Sequence, residues 1–234
     1  MKKHLFIMSL ILLTSCQVQR SVHVNHYGVL REIMRENKLN ANIDLKDLAN
    51  SDNLYALGAV EGLAGEILIL NGNAYHSRVQ NNDLTIKRGF DLQATLLVSS
   101  EVEAWTAMKL DLEWLDLAAL QRHLKEAAKQ KGIDTSEPFP FRIQGDFDQL
   151  GWHVINAPEA EEKNHDAYKA SGLEGSESNI SGEILGFYSE QHEGVFTHHG
   201  SYLHMHWLSE DKKLVAHIDE LSHNGKITLL LPKR

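Results

Sequence analysis

The sequence predicts an α/β protein of the α+β kind, made of two similar α/β units from tandem duplication. Three observations lead to that class. Short apolar and β-branched runs, set apart by Gly and Asn breakers, recur through both halves and read as strands. Two segments carry helical apolar spacing instead. The tetrapeptide Gly65-Glu66-Ile67-Leu68 returns as Gly182-Glu183-Ile184-Leu185, each time opening a strand run, as related units would produce.

Taken in order, Lys2 and Lys3 precede an apolar run from Leu5 to Leu13 that is too short to span a bilayer, and Leu13-Thr14-Ser15 leads into Cys16. This resembles a bacterial lipoprotein signal over residues 1–15, whose cleavage leaves a lipid-modified Cys16. The expected location is the bacterial cell envelope, on its periplasmic or outer-surface face, with the membrane reached only through the lipid. Cys16 is the sole cysteine, so an intrachain disulfide and a thiolate metal site are excluded. The formal net charge of −9 becomes more acidic once two lysines leave with the signal. So acidic a chain offers no basic footprint to nucleic acid.

Residues 16–26 read as a tether, 27–157 as the N-terminal unit and 158–234 as the C-terminal unit. Val29, Leu30, Ile33 and Met34 have helical spacing up to about Asn37, and Leu45 to Asn50 adds a helical turn. Strands follow at 54–60, 66–70 and 73–79, with Asn71-Gly72 as a two-residue hairpin turn, and again at 94–101. Asp116 caps a helix whose Leu117, Leu120, Leu124 and Ala127 or Ala128 share a face, closing at Lys131-Gly132. Phe141 to Phe147 is a strand, and the polar, Gly- and Ser-rich stretch 158–178 reads as a long loop, a lid or a mobile edge.

The densest chemistry lies in Tyr202-Leu203-His204-Met205-His206-Trp207-Leu208 and Leu214-Val215-Ala216-His217-Ile218-Asp219, which flank a charged turn. A hairpin centred on Asp211 and Lys212 sets His206 opposite His217 and His204 opposite Asp219. The three imidazoles then share one face, while Leu203, Met205, Trp207, Leu214, Ala216 and Ile218 share the other. Three neutral imidazoles make a site for Zn2+ or another divalent metal, with room for water or substrate. A solvated polar strand face is the competing reading.

These residues resemble the α-acetolactate decarboxylase family over about Tyr27 to Leu231. His204-Met205-His206 with His217 carries most of the likeness. Leu63-Ala64-Gly65-Glu66, Phe141-Arg142-Ile143-Gln144-Gly145 and Gly186-Phe187-Tyr188 add to it. The resemblance implies zinc on His204, His206 and His217, with Glu66 and Arg142 beside it, mixed sheets and a homodimer. It implies decarboxylation of 2-acetolactate, a small 2-hydroxy-3-oxo acid, to acetoin. Three features depart from the family. The chain stops at Arg234 without the family's tail glutamate, Val215-Ala216 stands where Gly-Gly is usual, and His198-His199 precedes the hairpin. Glu183, Glu193 and Glu220 are candidates for the missing acid. The echo with Glu66 favours Glu183 and places it within one water of the metal.

In the implied chemistry Arg142 orients the leaving carboxylate and Glu66 handles the proton. A divergent zinc-dependent hydrolase of the same fold superfamily is an alternative, as is a lipoprotein that binds metal or a small oxo acid without turning it over.

Overall fold

The structure, a computed structural model, describes residues 22–233. The signal segment and Cys16 lie outside the described residues. In chain order the elements are β1 (Val24–Tyr27), α1 (Leu30–Glu36), β2 (Ile43–Asp44), β3 (Leu54–Val60), β4 (Glu66–Leu70), β5 (Asn73–Gln80), β6 (Asp83–Arg88) and β7 (Gln93–Glu101). There follow β8 (Trp105–Trp114), α2 (Leu117–Gln130), β9 (Phe139–Val154), α3 (His165–Ala170), β10 (Leu173–Tyr188), β11 (Leu203–Ser209) and β12 (Val215–Pro232).

Two sheets divide the chain. The first has the order β1-β7-β3-β4-β5-β6, with β2 also on β7, and the second has β11-β10-β9-β12-β8. Every ladder of the two sheets among the described residues is antiparallel, in place of the expected mixed pairing, and a parallel bridge, Glu193↔Thr197, lies outside them. Sheet membership changes between Glu101 and Trp105. Residues 105–157, grouped by sequence with the first unit, therefore hydrogen-bond mainly in the second sheet. The last tether residues, 24–26, form β1 together with Tyr27 and pair with β7 from Val24↔Ser100 to Tyr27↔Leu97. The expected loop at 158–178 contains α3 and the start of β10, which pairs with β9 from Leu173↔Val154 onward.

Local chemistry accounts for the element ends. Asn71 and Gly72 both take positive φ, 49° and 71°, as a tight β4–β5 hairpin requires. The Asp116 carboxylate accepts from the Ala119 N–H at 2.7 Å and caps α2, a contact worth about 1 kcal/mol. Val29 offers α1 no side-chain cap, and the carbonyls of Val195 and Gly194 accept from Leu30 and Arg31 instead, each at 2.8 Å. This ties α1 to the loop that carries His198.

In the second sheet β11 also pairs with the start of β12, which closes β9 to β12 into a ring. One face of that ring packs Phe141, Ile143, Phe147, Ile184, Trp207 and Ala216 with Leu120 and Leu124 of α2. Gly186 makes room there, since a Cβ on it would stand 2.2 Å from Cζ of Phe141, its cross-strand partner. The opposite face carries Leu185, Phe187, Leu208 and Val215, which pack on Tyr55, Leu57, Leu68 and Val98 of the first sheet. His204, His206 and His217 lie on this second face, between the sheets.

Candidate metal centre

Register alone brings the three hairpin histidines together. His206 pairs directly with His217, and His204 stands two residues before His206 on the same side of the strand. Their ring centroids are 5.1, 5.2 and 5.4 Å apart, and one ligand nitrogen from each lies within 4.8 Å of the others. The expected pairing of His204 with Asp219 is not made. The β12–β9 ladder shifts between Ile218 and Glu220, and Asp219, at that irregularity, bonds His153 of β9 instead.

The hydrogen bonds fix which nitrogens are free. Nδ1 of His206 donates to the Ile67 carbonyl at 2.9 Å, leaving the Nε2 lone pair to face the cluster. That Nε2, and Nδ1 of His204, are buried with no hydrogen-bond partner among the described residues. A buried polar atom left unpaired costs about 1–3 kcal/mol, so these nitrogens fit a cation. Burial pushes His206 down to about 3, and burial with neighbouring imidazoles holds His204 and His217 well below the usual range. All three are therefore neutral at physiological pH, as metal ligands must be.

Glu66, at the start of β4, enters the same site from the first sheet. Its Oε2 stands 3.6 Å from Nε2 of His206, and its Oε1 accepts from the Ile155 N–H at 3.1 Å. Burial pushes its carboxyl up to about 7, against the pull of His153 and that N–H.

Next to this set stand His153, His165 and Lys169, which nothing in the sequence singles out, together with Asp219 and His198. His153 lies across the β9–β12 ladder from His217, with ring centroids 4.9 Å apart. Its Nδ1 donates to Asp219 at 2.8 Å, and Lys169 sits 3.0 Å from the same carboxylate. Burial alone would raise Asp219, yet the bonds from His153 and Lys169 hold it below the usual carboxylate range. His165, the first residue of α3, and His198, in the loop before β11, complete the rim. Burial pushes His198 down to about 4. These histidines and Glu66 line a cavity of about 40 Å3 whose other wall is apolar, with Leu30, Ile33 and Met34 of α1.

Arg142 and Glu183 are brought to each other. Both nitrogens of an Arg142 fork donate to one Glu183 oxygen, and the guanidinium lies 5.3 Å from the ring centroids of Tyr55 and Trp105. Neither residue lines the cavity. Leu185 stands between Arg142 and His206 in the cross-strand row. Glu193 accepts from Gly200 and His199 in an exposed loop, and Glu220 is exposed beside Gly151.

Residues 25–231 match the model of the alpha-acetolactate decarboxylase family. The chain belongs to that family. Its fold is similar to that of a Staphylococcus aureus protein of unknown function described as similar to alpha-acetolactate decarboxylase. That match has a TM-score of 0.72, 17% identity, and covers 89% of this chain and 85% of the other. It is also similar to the alpha-acetolactate decarboxylase of Bacillus subtilis strain 168, with a TM-score of 0.71, 14% identity, and 90% and 86% of the two chains covered. The acetolactate decarboxylase of Bacillus subtilis subspecies spizizenii gives 0.72 at 13% identity, with the same coverage. At such identities the likeness is one of fold. Among curated proteins no sequence matches this one.

Proposed function

We propose that the protein is a metal-dependent lyase that decarboxylates 2-acetolactate to acetoin, with Zn2+ or a similar divalent cation held by His204, His206 and His217. One observation carries the reading: three buried, neutral imidazoles converge beside a buried glutamate, in a chain of the acetolactate decarboxylase family. When bound there, the cation would supply a Lewis acid to stabilise the negative charge that develops on the substrate's ketone oxygen as CO2 leaves.

The chain's own residues do the rest. Glu66 holds a proton on a carboxyl whose other oxygen is fixed by the Ile155 N–H, so Oε2 remains directed at the histidines. When the bond to the carboxylate carbon breaks, its electron pair passes into the neighbouring ketone. Glu66 then delivers the proton to the carbon that CO2 has left, which completes acetoin. Ile33 and Met34 of α1 give the cavity an apolar wall, which would limit the access of water to the reacting carbon. Arg142, already engaged by Glu183, braces the contact between the sheets in this reading. The signal-like start with Cys16 supports lipid attachment to the cell envelope.

The test uses full-length protein stripped by a chelator and reloaded with Zn2+. Acetoin and CO2 should form from racemic 2-acetolactate well above the spontaneous rate, and chelation should abolish the excess. Loaded protein that forms no acetoin above that rate overturns the proposal.

A further inference from the structure

Outside the hairpin triad, three more histidines turn toward the same cavity from three separate elements. His153 comes from β9, His165 from the first turn of α3 and His198 from the loop before β11. Their ring centroids are 6.4 Å apart for His153 and His165, and 5.6 Å for His165 and His198. His198 stands 5.4 Å from His217 and His153 stands 4.9 Å from it, so the two sets share a border.

His153 already has the arrangement of a metal-binding imidazole. Its Nδ1–H is given to Asp219, itself backed by Lys169, and this fixes the tautomer that keeps a lone pair on Nε2. Ligating histidines are commonly oriented in this way by a carboxylate on the far nitrogen. The anionic charge that a second ion would need is also at hand, in Asp219 behind His153.

We propose that His153, His165 and His198 form a second site, next to the triad, for an imidazole-seeking divalent cation such as Zn2+ or Co2+. The outer rings are spaced more widely than those of the triad, so His165 and His198 must rotate inward to close on the ion. Both are only partly buried, which leaves them that freedom, whereas the triad is fully enclosed. The outer site therefore binds more weakly than the inner one. This stands apart from the decarboxylase reading, since its test involves no substrate.

The test is a metal count. Untagged full-length protein is stripped, equilibrated with Zn2+ over a range of free concentrations, and measured by elemental analysis. Two ions per chain are expected, one tight and one weaker. The double variant His165→Gln/His198→Gln should keep only the tight ion, and His206→Ala should lose that one while retaining the weaker. Asp219→Asn should weaken the second ion by about 10- to 100-fold, as loss of an orienting carboxylate does. A wild-type count of one overturns the proposal. So does a second ion that survives the double variant, because it would then sit elsewhere, for instance beside His26 and His192. Should the double variant unfold, the two single variants replace it. Each is expected to weaken the second ion at least about tenfold, and an unchanged affinity in both overturns the site.

Discussion

Replacing Glu66 by Gln should make the metal-free protein more stable at alkaline pH while removing most of its activity. Glu66 is only 3% exposed, and burial pushes its carboxyl from 4.5 up to about 7. Between those values the folded chain binds a proton that the unfolded chain has released. Stability therefore falls as pH rises through that interval, and the full loss is present above it. At about 1.4 kcal/mol per pH unit, the loss is about 3 kcal/mol as an order of magnitude. Gln keeps an oxygen for the Ile155 N–H and carries no charge, so it avoids this loss. Urea unfolding of chelator-treated protein should show Glu66→Gln more stable than wild type by about 3 kcal/mol near pH 8, and little different near pH 4.5. With Zn2+ bound, the cation favours the ionised carboxylate and the advantage should shrink or reverse. Turnover of acetolactate should drop about a hundredfold or more. A stability difference that is the same at both pH values refutes the assignment of Glu66 as the buried proton carrier.

Arg142→Ala leaves Glu183 unpaired in a partly buried setting and should cost about 2 kcal/mol in urea unfolding, with metal content unchanged and turnover reduced less than tenfold. Intact stability with a hundredfold loss of turnover would instead return Arg142 to the substrate. Gly186→Ala drives a methyl group into the Phe141 ring and should cost about 2–3 kcal/mol, lowering the thermal midpoint by several degrees. A midpoint equal to that of wild type contradicts the packing described for the ring of strands. Cys16→Ala should move the protein from the membrane fraction to the soluble one, and unchanged fractionation argues against a lipid at that residue.

The hairpin was legible because its charged turn is short and fixes the register, so His206 opposite His217 follows from counting along the chain. The Asn71-Gly72 turn and the Asp116 cap are equally local signals. The misreadings have non-local causes. Leu173 to Ser178 looks like a loop by composition, yet pairing with β9 makes it a strand, and Gly175 and Gly182 leave space for the Trp152 and Trp207 rings. β8, by contrast, carries a local signal, the alternation of Met108, Leu110 and Leu112 with Lys109, Asp111 and Glu113. His153 has no histidine near it in sequence, and its place beside His217 appears only once β9 and β12 are paired. His165 follows Asn164, whose side chain caps α3, a cue that a six-residue helix gives too little periodicity to support. The four-residue echo that favours Glu183 says nothing about partners, and in the structure Glu183 is paired with Arg142.

The most direct measurement of the central claim is anomalous diffraction at the zinc absorption edge from crystals of the Zn2+-loaded protein. A peak is expected about 2.1 Å from a ring nitrogen of each of His204, His206 and His217. In that map Nδ1 of His206 should still face the Ile67 carbonyl and Glu66 should lie beside the ion. A map with no peak among these three imidazoles, or with its strongest peak elsewhere, contradicts it.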